Sequence, residues 1–194
     1  MDTELSSVLI VEDEPDLANL YTAWLESEYN VCTAYDGSEA LDAIDETVDV
    51  VLLDRRMPEL SGDTVLETIR ERDLDCRVAM VTAVEPDFDI IGMGFDDYLV
   101  KPVSKAELHH VIEQLLLRST YDEQLRTLFA LASKKALLDG EKNEAELAAS
   151  REYDELEDRL AVLRTRVDET VAAVLEGGDA RQLSQDIASS GSEE

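Results

Sequence analysis

Five polar side chains, Glu12, Asp13, Asp54, Thr82 and Lys101, each stand at or just beyond the end of a short apolar run. Val8–Val11 leads into Glu12-Asp13, Val50–Leu53 into Asp54 and Asp97–Val100 into Lys101, while Thr82 closes Val78–Thr82. Three carboxylates within a few ångströms cannot all stay ionised unless a cation balances them. A hard divalent cation with oxygen ligands, most simply Mg2+ keeping several waters, is the natural occupant of a site made by Glu12, Asp13 and Asp54. Lys101 as a point charge and Thr82 as a hydroxyl donor are suited to an incoming phosphoryl group. All of this requires that the runs converge.

The elements supply that convergence. An apolar run as short as Val50–Leu53, closed by a turn, is expected to be a strand buried on both faces of a parallel sheet. Helical periodicity separates the runs. Pro15 opens one helix, with Leu17, Leu20, Tyr21, Trp24 and Leu25 on one face. Ser38–Glu46 and Asp63–Asp73 are the next two, and Ser104-Lys-Ala-Glu107 is a capping box before a last helix from Leu108 to about Arg118. Five strands alternating with helices predict an α/β fold, a doubly wound parallel sheet of flavodoxin-like order 2-1-3-4-5. Strands one and three are then neighbours at the switch point, where such sheets place their ligands.

Composition narrows the partners. Forty-six acids against 17 bases give a net charge of −29. Binding nucleic acid or an anionic membrane needs a basic patch that releases counterions, so neither is expected. The acids are spread along the chain and only five of the bases are Lys, a pattern that fits a salty cytoplasm in which screening removes self-repulsion. The fold is therefore expected to be more stable in molar than in dilute KCl. Denaturant unfolding across that range tests this, and equal stability would count against salt adaptation. Cys32 and Cys76 are unpatterned and are expected to be buried small hydrophobes in a reducing compartment. No signal peptide is visible, and no stretch approaches the about 20 apolar residues of a membrane span, so a cytoplasmic location is expected.

Residues 6–118 resemble the receiver domain of two-component response regulators. The matching residues are Glu12-Asp13, Asp54 with Met57-Pro58 and Gly62, Thr82-Ala83, Tyr98, and Lys101-Pro102. The resemblance implies that Asp54 accepts a phosphoryl group from a sensor histidine kinase. It also implies that Asp13, Asp54 and the backbone carbonyl of Arg56 bind Mg2+, with Glu12 acting through water. Thr82 and Tyr98 would be a switch pair, although Tyr98 also suits a plain core aromatic, and Lys101-Pro102 would be cis. Such a protein is a phosphoacceptor, not an enzyme. One departure stands out: only 18 residues separate Thr82 from Lys101, and Glu85–Gly94 is broken by glycines. The family's fourth helix should be truncated there, which argues against dimerisation through its usual fourth-helix, fifth-strand face. His109 and His110 lie on the last helix as surface or interface residues and receive no role.

From residue 119 the strand signals end. Thr120-Tyr-Asp-Glu123 is a capping box, Asp139-Gly140 a helix stop, and Asn143-Glu-Ala-Glu146 a capped restart. Ala149, Tyr153, Leu156, Leu160, Leu163, Val167, Thr170 and Val174 then follow at alternating spacings of four and three, the seam of a coiled coil. It can close as a hairpin on the preceding helix or pair with a second copy. Leu131–Leu138 and Ala145–Leu156 resemble the small HalX domain of haloarchaeal regulators, over residues 119–178, leaving 179–194 as a flexible tail. No recognition helix appears, so direct DNA binding is not expected. The reading is a phosphorylation-controlled switch whose helices bind a partner or self-associate. The alternatives are a phosphorylation-independent adaptor or structural coiled coil, and a transcriptional regulator acting through a partner.

Overall fold

A computed structural model describes residues 5–190, with side chains described to residue 173. The chain divides into two compact units, Met1–Leu116 and Leu117–Glu194.

The first unit is a five-stranded parallel sheet of order β2-β1-β3-β4-β5. Its strands are β1 Ser7–Val11, β2 Asn30–Ala34, β3 Val50–Leu53, β4 Arg77–Thr82 and β5 Asp97–Val100. Alternate side chains leave a strand on opposite faces, so each face acquires its own apolar layer. Leu9, Val11, Val51 and Leu53 pack on α2 (Gly37–Ala43) and α3 (Gly62–Glu71). Val8, Ile10, Val50 and Leu52 pack on α1 (Pro15–Leu25) and on Leu108, Val111, Ile112 and Leu115 of α4 (Lys105–Glu141). All four β3 residues are at most 2% exposed, as expected for a strand covered on both faces. On α1 the buried stripe is Ala18, Tyr21 and Leu25, whereas Leu20, expected on that face, is 43% exposed.

Register brings the strand ends level. Val11 pairs with Leu53 and Leu53 with Met80, and the Asp54 amide donates to the Val11 carbonyl at 2.9 Å. Beyond β4 the chain makes only a 3-10 turn, Phe88–Gly92, where a fourth receiver-type helix was expected to be truncated. Two other boundaries differ from expectation. Helix α2 starts at Gly37, not Ser38, with Asp36 as its cap, the Oδ1 accepting the Glu39 amide at 2.8 Å. That helix also ends at Ala43, because Ile44 turns extended and buries its side chain to 5% exposure.

Cys76 is buried, as expected, but Cys32 is exposed, because β2 is the edge strand. Burial also pushes the Cys76 thiol above its usual pKa, which lowers its thiolate fraction. Alkylation of the native protein is expected to consume one thiol quickly and the second only on unfolding. Two fast thiols would contradict the burial of Cys76.

Helix α4 corrects the expected stop near Arg118, since it continues unbroken to Glu141. Thr120-Tyr-Asp-Glu123 does not cap a helix, because nothing between Lys105 and Asp139 is Gly or Pro and good helix formers carry the turn through. The restart at Asn143 does form. Asn143 Oδ1 accepts the Glu146 amide at 3.0 Å, and Glu146 Oε2 accepts the Asn143 amide at 3.2 Å, opening α5 (Glu144–Ala148).

Helix α6 runs Arg151–Ser190 with Ser150 at its start, so Ala149 lies outside the helix and is exposed. The seam therefore begins at Tyr153. It closes within the chain, as an antiparallel hairpin with α4. Thr170 Oγ1 donates to Gln124 Oε1 at 3.0 Å, and Lys135 bridges Glu157 at 3.1 Å and the Tyr153 hydroxyl. The tail expected from residue 179 is helical to Ser190, because Ala180–Leu183 are strong helix formers that extend the helix past Gly177-Gly178. Residues 191–194 lie outside the described residues. Among the described residues, no helix is long and apolar enough to cross a membrane.

Candidate functional site

The level ends of β1 and β3 put Glu12 beside Asp54. Carboxylate oxygens of Glu12, Asp13 and Asp54 lie within 4.8 Å of one another. Glu12 is 2% and Asp54 6% exposed, while Asp13 is half-buried. The backbone after β5 delivers Lys101, whose amide donates to the Thr82 carbonyl at 2.9 Å. Its ammonium lies 2.6 Å from Asp54 Oδ2 and 2.7 Å from Glu12 Oε2. Asp54 Oδ1 accepts the Arg56 amide at 3.0 Å. Both oxygens of Asp54 thus have a donor, and Arg56 enters the site through its backbone.

Burial raises the Glu12 pKa, and the hydrogen bond and charge of Lys101 pull it only partly back. For Lys101, burial alone would lower the pKa, but hydrogen bonds to Asp54 and Glu12 outweigh it and the net shift is upward. Burial drives the Glu12 shift and the paired carboxylates drive that of Lys101, a single ammonium serving both acids. Formally, three carboxylates and one ammonium give −3 + 1 = −2, the charge that one divalent cation neutralises. The donors are all hard oxygens, which suits Mg2+, Mn2+ or Ca2+ and not a thiolate-seeking metal.

Thr82, fully buried at the end of β4, and Tyr98, half-buried on β5, meet at Val84. Thr82 Oγ1 accepts the Val84 amide at 3.4 Å, and the Tyr98 hydroxyl donates to the Val84 carbonyl at 2.7 Å. The loop after β4 is therefore held from both sides by the two residues named as a pair. The Lys101-Pro102 bond is cis. His109 sits half-buried between helices, with Nε2 3.0 Å from the Trp24 carbonyl of α1.

Sequence reasoning missed Arg55. Its Nε lies 3.0 Å from Asp63 Oδ1 at the start of α3, and its Nη2 pairs with Asp89 of the 3-10 turn. It fastens the two segments that flank the acidic cluster. The available signal was a cation directly after Asp54 in a chain with few cations.

Comparison with known proteins agrees with this geometry. Residues 8–113 match the family model of the response regulator receiver domain, and residues 117–184 match that of the HalX domain. A Haloferax volcanii protein described as a transcriptional regulator is 54% identical over 158 residues, covering 81% of this chain and 27% of its own length. The Escherichia coli transcriptional regulatory protein CpxR is 38% identical over 124 residues, covering 62% of this chain and 53% of its own. This chain thus spans about a quarter of the first relative and half of the second. Among solved structures, response regulator TrrA from Thermotoga maritima, in complex with Mg2+ and BeF, is 31% identical with a TM-score of 0.51. It covers 57% of this chain and 99% of its own. A CheY-like receiver domain protein from Methanospirillum hungatei is 26% identical with a TM-score of 0.57, covering 61% and 99%. The chain belongs to the response regulator receiver family of two-component signalling, with a HalX domain following the receiver.

Proposed function

We propose that Asp54 is the phosphoacceptor of a two-component relay and that its phosphorylation controls the helical domain. The observation that carries this reading is Asp54 itself, buried at the end of β3 with Lys101 at 2.6 Å and two further carboxylates beside it. A carboxylate oxygen of Asp54 bonds to phosphorus as the phosphorus–nitrogen bond of a histidine kinase's phosphohistidine breaks, the electron pair leaving on the imidazole nitrogen. Phosphoryl transfer of this kind is mainly positioning and charge neutralisation. Lys101 holds a positive charge against the transferring oxygens and Thr82 offers its hydroxyl. Glu12, Asp13, Asp54 and the Arg56 carbonyl would hold Mg2+, with Glu12 acting through water. When bound, the ion neutralises charge on the phosphoryl oxygens. Tyr98 and Thr82, joined through Val84, transmit the change to the loop after β4.

The test is incubation with acetyl phosphate and Mg2+. Wild type is expected to gain one phosphoryl group and Asp54→Ala none. Equal labelling of the two would rule out Asp54 as acceptor.

The names of the relatives favour transcriptional control as the output, exerted through a partner or through DNA. Retardation of promoter DNA at physiological salt would show direct binding.

A further inference from the structure

We infer that one side of the C-terminal hairpin is a self-association face that docks on the same face of a second copy. This rests on the reading above that the helical domain is the output, and it names the partner.

The seam of α6 is unevenly buried. Tyr153, Leu160 and Val167, seven residues apart, are 8%, 3% and 9% exposed against α4. Leu156 and Leu163 are just as apolar and belong to the same seam, yet they stay half-buried. A hairpin of two helices has one interhelical layer, so on the second line Thr170 is buried against Gln124 of α4 while Leu156 and Leu163 keep one side uncovered. Leu163 opens into a groove of about 380 Å³, with Leu131 and Thr127 on the α4 side and Val162, Arg159 and Arg166 on the α6 side. Val162 is 52% exposed there. On α4, Thr127, Ala130, Lys134 and Leu137 follow at spacings of three, four and three, a ridge that starts at the groove with Thr127, and Leu137 is 69% exposed.

Charge selects the occupant. Glu155, Arg159, Val162, Arg166 and Glu169 follow at spacings of four and three, a second stripe beside the seam. It carries both signs around an apolar centre. Nucleic acid would meet Glu155, Asp158 and Glu169, and an all-acidic or all-basic helix would meet like charges. A second copy meets opposite charges across the middle of the stripe and like charges at its ends alone, where Glu169 faces Glu152. In an antiparallel two-fold pairing centred between Arg159 and Val162, Glu155 of each copy faces Arg166 of the other. Such a face is self-complementary, as a closed two-fold interface requires. Two hairpins then complete a four-helix bundle and bury Leu156, Leu163, Val162 and Leu137.

Light scattering of the full chain in molar KCl at micromolar protein tests this, with circular dichroism to verify helicity. Wild type is expected at twice the 21.6 kDa chain mass. Val162→Glu should halve that mass, and so should Leu137→Glu, which decides the matter if Val162→Glu loses helicity. Phe129→Glu changes a side chain that is 67% exposed but two residues from both Thr127 and Leu131, hence on the other side of α4, and should leave the mass unchanged. A monomeric wild type, a dimeric Leu137→Glu, or a Phe129→Glu that dissociates would overturn the proposal. Acetyl phosphate labelling of the same samples should be equal in all variants, so failure of the face and failure of Asp54 as acceptor are read separately.

Discussion

Lys101→Ala is expected to destabilise the metal-free protein by about 3–5 kcal/mol, the cost of removing one partner from a buried ion pair. Two acceptors lose their cation at once. Glu12 and Asp54 have side chains only 2% and 8% exposed, and the ammonium lies within 2.7 Å of each. Burial already raises the Glu12 pKa with Lys101 in place, so losing the ammonium makes its negative charge costlier still. The loss should be reversible by another cation. An ammonium among the carboxylates also repels a divalent ion, so its removal should tighten Mg2+ binding even as it weakens the fold. Thermal unfolding with and without millimolar Mg2+ checks both signs. The variant should show the lower midpoint without Mg2+ and the larger upward shift with it, while accepting a phosphoryl group more slowly. Lys101→Met keeps the aliphatic stem and should behave in the same way, which separates lost charge from lost packing. An equal Mg2+ shift in wild type and both variants would mean that Lys101 and the metal do not share the acids.

The acidic cluster was legible because parallel strands obey two simple rules. Val and Leu runs bury on both faces, and neighbouring ends of a doubly wound sheet come level, as the pairing of Val11 with Leu53 shows. Two signals in the second part misled. Thr120-Tyr-Asp-Glu123 has the composition of a capping box, but a capping sequence only offers a helix start. With no Gly or Pro nearby, continuing the helix costs nothing and α4 passes through. Ala149 fits the heptad by spacing, yet Ser150 starts the helix after it. The seam was legible as a period, but a period does not name what packs on it. Arg55 was illegible for a different reason. Its partner Asp89 lies 34 residues away, on a turn whose position depends on the missing helix after β4.

Gly62→Ala should lower stability by about 3 kcal/mol and slow phosphorylation of Asp54 by about 100-fold. Gly62 is the first residue of α3, where an ordinary helix would gain up to about 1 kcal/mol from Ala in place of Gly. Its backbone needs no left-handed conformation, so the issue is space alone. A Cβ there would stand 2.0 Å from the Asp54 carbonyl oxygen and 2.9 Å from Arg55 Cα. Both are backbone atoms, with no flexible side chain to swing aside, so either the end of β3 or the start of α3 must retreat. Relieving the contact takes about 1 Å of movement, and overpacking of this severity belongs at the upper end of the usual range of about 1–3 kcal/mol. The propensity gain offsets only a fraction of that. The movement falls on the peptide that carries Asp54, and about 1 Å of misplacement is enough to cost two orders of magnitude in a reaction that depends on positioning. Urea unfolding and the initial rate of acetyl phosphate labelling measure the two effects independently. A Gly62→Ala protein that labels at the wild-type rate would show that the loop after β3 yields without moving Asp54, and the tight seat of α3 on that strand end would then have no part in setting the acceptor.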